Sequence, residues 1–175
     1  RRTTHVASTV LVDGQGQIGE GQAWSPTLLP QQTGYSRHFT HTDRYDYVEG
    51  VATRCYPEEL LLTNFTRRTL YLRPDVWVIV DELASQVPRV FQWRLASLGR
   101  FEAGKERGEF TLTKGKAALD IVIASPPEWT CMIGETPEVP GYCSDTNYRI
   151  NFLGVEAPHK VFETTFVSVL APRRR

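Results

Sequence analysis

The sequence predicts an all-β protein, an antiparallel two-sheet β-sandwich, and three observations carry that expectation. Apolar and polar residues alternate with a period of two between clusters of turn residues. Helical periodicity never persists for more than a turn or two. Without helices to make crossovers, so many strands must run antiparallel and stack face to face. At 175 residues, 41% of them hydrophobic and 23% charged, the chain suits one buried core and is short for two ordinary domains, so residues 1–175 read as a single domain.

The elements come in order along the chain. Val6 to Val12 is β-branched and ends at Asp13-Gly14-Gln15-Gly16, which is turn chemistry. Ile18 to Thr42 lacks a pattern and contains Pro26 and Pro30, so it reads as a long loop of the kind that is functional or packed on another domain. Tyr45 to Tyr56 returns to strand character. A long hairpin spans Leu60 to Leu83 and turns at Arg73-Pro74-Asp75, where proline pre-sets φ. Val90 to Leu95 alternates as a further strand, and Phe110–Thr113 and Ala118–Ile123 flank Lys114-Gly115-Lys116 as a second hairpin. Trp129 to Ile133, Tyr148 to Leu153 and Val161 to Leu170 complete roughly nine to eleven strands, a number typical of sandwiches.

Charge and leader features narrow the partners. Twenty Lys and Arg balance twenty Asp and Glu, and a net charge of zero argues against nucleic acid or an anionic membrane. No stretch approaches the ~18 apolar residues of a membrane span. Thr3, Thr4 and His5 interrupt what a signal peptide would need as an apolar run. The chain starts without Met on residues that approach a strand, and is read as a segment of something longer. Cys55, Cys131 and Cys143 are odd in number; Cys131 and Cys143 flank a Pro/Gly-rich loop that a disulfide would close, and three unpaired thiols are the other reading.

Histidine supplies the candidates for metal or proton-transfer work, at His5, His38, His41 and His159. His38 and His41 fall in the irregular stretch with Asp43 as their only companion, which does not aim both at one ion. His159 comes after Pro158 and reads as an exposed turn. Arg67 and Arg68, at alternate-facing strand positions, read as one solvated residue and one structural ion pair, with a sugar carboxylate or sulfate as the functional alternative. Trp77 and Trp93 read as core, whereas Trp24, in the long loop, is the tryptophan placed to stack on a sugar ring. Asn64-Phe65-Thr66 has the pattern of a glycosylation sequon.

His5 differs from the other three in its sequence context. His5…Thr9-Val10-Leu11-Val12-Asp13-Gly14-Gln15-Gly16-Gln17 resembles the H-N-T-V-L-V-D-G-x-x-Q signature of heparinase II/III-type polysaccharide lyases. Later segments agree in order: Tyr47-Val48-Glu49-Gly50 with Ala52-Thr53 and Tyr56; Arg68 to Asp75 with Val80-Asp81; and Phe91-Gln92-Trp93. Phe166 to Pro172 is similar to the family's closing strand.

The resemblance implies a C-terminal β-sandwich that succeeds an N-terminal α-helical toroid. It also implies cleavage of uronic-acid polysaccharides by β-elimination, an anionic polysaccharide as partner, and a secreted or periplasmic location. The reaction needs a base for the C5 proton, a stabiliser for the enolate-like intermediate and a proton donor. In the family a Tyr and an Asn or Glu come from the toroid, and a His-x-His motif lies upstream of this segment, so no catalytic residue is expected here and the isolated chain is expected to be inactive.

Zinc, where the family holds it, takes one of those histidines, a following Asp and the His of H-N-T. Carried over residue by residue, His5 is the one match, as a metal ligand in the full-length protein. The pattern departs at Val6, Ala7 and Ser8, which separate His5 from Thr9, at Val51 within a Gly-Asp-Ala-Thr, and at Ala96, where Trp-x-x-His is common. Either a bulge keeps His5 in place or the ligand is lost in a divergent, metal-free subfamily. A free-standing carbohydrate-binding module with coplanar exposed aromatics, and an adhesion-type sandwich, are the competing readings.

Overall fold

The structure is a computed structural model that describes residues 4–19, 32–136 and 149–173. Twelve strands form two antiparallel sheets. A four-stranded sheet has the order β1-β6-β11-β10 and an eight-stranded sheet the order β2-β3-β4-β5-β12-β9-β8-β7. The small sheet holds β1 (Val10–Val12), β6 (Phe91–Ser97), β10 (Thr130–Glu135) and β11 (Asn151–Glu156). The large sheet holds β2 (Tyr35–His41), β3 (Tyr45–Val51), β4 (Leu62–Leu72), β5 (Val76–Arg89), β7 (Arg100–Ala103), β8 (Glu109–Lys114), β9 (Ala117–Ser125) and β12 (Val161–Pro172). The only helical pieces among the described residues are short 3-10 turns.

Alternation places one face of each sheet in the core. Val10, Val12, Phe91, Trp93, Leu153 and Val155 come from the small sheet; Phe65, Leu83, Phe110, Ile121 and Phe166 come from the large one. The hairpins turn where the sequence expects, the first of them through a cis Arg73–Pro74 bond that the sequence reading does not anticipate. Arg73-Pro74-Asp75 joins β4 to β5, and Gly115, with φ +60°, opens the two-residue turn between β8 and β9. Asp13 and Gly14 both have positive φ, +48° and +74°, as a type I′ turn demands. The Asp13 side chain also accepts from the Val90 N–H at 2.8 Å and from Arg89 at 2.9 Å, which pins this turn to the junction of β5 and β6.

Several elements differ from the sequence expectation. The first strand is shortened to Val10–Val12, because Thr4–Val6 closes a 3-10 turn and the Thr4 hydroxyl accepts from the Gln17 N–H. The strand expected over Tyr45 to Tyr56 stops at Val51, where a 3-10 turn begins whose Thr53 hydroxyl accepts from the Phe65 N–H. The expected loop Ile18 to Thr42 contains β2, and β7 had no sequence signal. Both are edge strands with little buried surface, so no apolar alternation marks them. β11 starts three residues later than the strand expected from Tyr148. Trp24 and Cys143 lie outside the described residues.

Registers align side chains into rows on the inner face of the large sheet. One row runs His41, Asp46, Tyr71, Trp77, Leu170, Ile121, Phe110. A second runs Ser36, Gly50, Arg67, Asp81, Phe166, with Val48, Thr69, Ile79 and Ser168 between them. The first row is buried at its β8–β9 end, where Ile121 is 1% exposed, and open at its β2 end, where the His41 side chain is 65% exposed.

Candidate functional site

The open part of this inner face is a groove of about 400 Å³. Its walls come from Tyr35 and Ser36 on β2, Val48 and Gly50 on β3, and Arg67 and Thr69 on β4, with Thr9 and Gln17 closing it from the segment around β1. Gly50 sits in mid-strand between Ser36 and Arg67, a position where an interior glycine leaves room for close approach. The sequence pattern registers Gly50 only as part of a motif; its place inside a predicted strand was the available signal.

Arg67 is the charged side chain lining the groove, and three of its five N–H groups are engaged within the fold. Its Nε and Nη2 donate to the two carboxylate oxygens of Asp81 at 2.6 and 2.9 Å, and its Nη1 donates to the Ser8 carbonyl at 2.8 Å. Asp81 is completely buried; burial pushes its carboxyl up from the ordinary value, against the pull of Arg67. On the opposite face Arg68 pairs with Glu49 and Glu82, and Arg37 also donates to Glu49. Hydrogen bonds from Arg37, joined by Arg68, hold the Glu49 carboxyl below the usual range despite its burial. Neither Arg67 nor Arg68 is therefore the solvated residue that the sequence suggested; both are structural ion pairs.

Beyond Thr69 the groove meets a polar cluster. His41 Nδ1 lies 2.5 Å from Asp46 Oδ1, and Arg73 Nη2 donates to both oxygens of Asp46 at 2.8 and 2.9 Å. The His41 contact, with Arg73 behind it, holds the Asp46 carboxyl below its usual value. His41 and His38 thus stand on β2 and not in an irregular loop. Tyr71 stacks on Trp77 at 4.5 Å with 21° between the planes, face to face and not side by side, and Trp77 is half-buried where the sequence suggested core.

His5 occupies the centre of the 3-10 turn Thr4–Val6, half-buried in a cleft with Gly14, Gln15, Gly16, Gln17, Ile18, Gly19 and Pro57. Gln17 lines both this cleft and the groove, so the two are neighbours. Among the described residues no three His, Cys, Asp or Glu side chains gather as a metal would require. These residues do not of themselves fit a zinc site, and His5 enters only as one ligand. Two of the departures from the family pattern lie together: the Ser8 hydroxyl accepts from the Ala96 N–H at 3.1 Å.

Other sequence candidates fall into structural roles. Tyr56 is buried, its hydroxyl donates to the Val10 carbonyl, and burial pushes its phenol up to about 12. His159 is in an exposed turn as expected. Asn64 lies inside β4, where its amide donates to the Glu82 carbonyl at 3.3 Å and its oxygen accepts from Thr66 at 2.8 Å.

A family model described as "Heparinase II/III-like, C-terminal" matches residues 1–151. No curated protein sequence matches the chain. Among solved structures, a mutant of the heparan sulfate lyase HepC from Pedobacter heparinus superposes with a TM-score of 0.77 at 15% identity, covering 99% of this chain and 25% of that one. A second structure of HepC from Pedobacter heparinus gives 0.71 at 16% identity, over 99% and 25%. A heparinase III with methylated lysines gives 0.72 at 13% identity, over 99% and 24%. The chain spans about a quarter of the length of these structures.

Proposed function

Since the chain belongs to the heparinase II/III-like family, as its C-terminal domain, we propose that it serves as the sandwich of a polysaccharide lyase whose full-length form cleaves uronic-acid polysaccharides by β-elimination. In that reaction a base removes the C5 proton of the uronate, its carboxylate is neutralised, and the C4–O bond breaks to leave an unsaturated uronate. The observation that carries the reading is the family match over residues 1–151, in a chain a quarter as long as the lyases it superposes on.

The chemistry of the groove supports a supporting role for this chain. The buried Tyr56 phenol is tied to Val10 and pushed up to about 12, which unsuits it as a base. Arg67 is tied to Asp81 and Ser8. Under this reading the base and proton donor come from an N-terminal α-helical toroid. His5, beside the groove through Gln17, offers one ligand to a zinc ion shared with that domain. The substrate is an anionic polysaccharide. A polymer of that size and charge does not cross a bilayer unaided, which places the enzyme outside the cytoplasm, secreted or periplasmic. No helix among the described residues is long and apolar enough to span a membrane.

The test joins this chain to the polypeptide encoded upstream of Arg1. The joined protein should release an unsaturated-uronate chromophore from heparan sulfate, chondroitin or alginate, and the 175-residue chain alone should release none. Turnover by the homogeneous chain, or an upstream frame that encodes no helical domain, would overturn the proposal.

A further inference from the structure

The groove over Gly50 is too open to be packing left unfilled. Its volume of about 400 Å³ falls within the ordinary range of ligand pockets, ~300–1,000 Å³. The Ser36 and Thr69 hydroxyls line it and make no hydrogen bond with any described residue, so both are available to a ligand. Gln17 stands on the opposite wall with its side chain hydrogen-bonded to Tyr56, and Tyr35, 57% exposed, offers an aromatic face at the rim.

Charge decides what kind of ligand. All lining side chains are neutral except Arg67, whose charge is balanced by the bidentate Asp81 carboxylate and which also donates to the Ser8 carbonyl. A carboxylate or sulfate in the groove would lose its hydration without gaining a free cation, and burying an unpaired anion is costly. A sugar ring with hydroxyls and an apolar C–H face has no such penalty. It exchanges water for the Ser36 and Thr69 hydroxyls, and lays its apolar face on Tyr35.

Glycine at position 50 keeps the floor clear. A Cβ at this position would meet nothing nearer than the Arg67 carbonyl oxygen, at 3.9 Å, so packing does not require glycine at this place. At Gly34, by contrast, a Cβ would stand 3.0 Å from the Val51 oxygen and 3.2 Å from the Cys55 sulfur, and the smallness of that residue has a packing reason.

We infer that this groove is a subsite for one uncharged sugar unit of the polysaccharide, set apart from the place where the uronate reacts. The inference rests on the lyase reading for its polymer and on the groove itself for its location and its neutrality.

Two probes separate the two: a heparosan tetrasaccharide, which alternates glucuronate with N-acetylglucosamine, and chitotetraose, which has no charge. Binding of each to the 175-residue chain is followed by calorimetry or by amide shifts. Both should bind, with little dependence on salt. Gly50→Val should weaken both by at least about tenfold, because β-branched valine suits a strand but fills the floor. Thr69→Val, which keeps shape and removes the hydroxyl, should weaken both by a few fold; Thr69→Val should leave the thermal midpoint nearly unchanged and Gly50→Val should not lower it. Affinity for both probes that survives Gly50→Val overturns the subsite and leaves the lyase reading standing. Chitotetraose binding lost in Gly50→Val, with heparosan not bound at all, keeps the subsite and overturns a uronate-containing polymer. Binding of neither probe at millimolar concentration overturns the subsite outright.

Discussion

Arg67 and Asp81 face each other across β4 and β5, joined by two parallel hydrogen bonds of 2.6 and 2.9 Å to a carboxylate with no exposure at all. The pair stands where the groove floor meets the core, and Phe166 is next to it in the same row.

Removing one member should be worse than removing both. Arg67→Met leaves a buried carboxylate without its cation and should destabilise the fold by about 3–5 kcal/mol, whereas Arg67→Met with Asp81→Leu should recover most of that loss. Urea denaturation of the two variants and the parent measures the difference. Equal losses in the single and double variants would show the pair contributing only as volume.

Acid should weaken the fold through carboxylates held low. Asp13 is such a group: burial pushes it up, but the Val90 N–H and Arg89 outweigh that and hold it below its ordinary value. A carboxylate with a folded pKa below its unfolded one contributes stability that is present above the unfolded value, about 4, and lost as pH falls through the folded value. Thermal midpoints should therefore fall as pH drops below about 4. Arg89→Met should lower the midpoint at neutral pH and flatten that acid limb, since it removes one of the partners that lowers Asp13. An acid limb unchanged in this variant would mean that other groups set it.

The turn at Asp13-Gly14 should be sensitive to a single methyl group. Gly14 has φ +74° with nothing within 4 Å of a Cβ, so Gly14→Ala meets backbone strain and no clash. The expected cost is about 1 kcal/mol, or a midpoint lower by roughly 2–4 °C. Scanning calorimetry of the variant gives the number directly.

How far the sequence reveals this molecule depends on how each strand is buried. β6 is legible because Phe91 and Trp93 alternate into the core, and the hairpin of β4 and β5 is legible because Pro74 marks its turn. β2 is not: all seven of its residues are exposed, so no face is apolar and the period of two vanishes. The groove is hidden for another reason. Ser36, Gly50 and Thr69 meet only because the registers of three strands align them, and no local pattern encodes that alignment. The same holds for Ser8 and Ala96, 88 positions apart and joined by a hydrogen bond.

The irregularity in β2 has a consequence for how copies of this chain behave when crowded together. β2 is a terminal strand of the large sheet, and its ladder with β3 is broken between Arg37 and Thr40, where His38 turns to φ +54°. A growing fibril needs a long flat row of unpaired N–H and C=O groups to add its next strand, and a break in mid-strand with two basic side chains beside it denies one. The opposite terminus, β7, is only four residues long. Among the described residues the eight-stranded sheet thus ends on both sides in strands that make poor templates, a safeguard against runaway sheet extension that is independent of anything its groove binds.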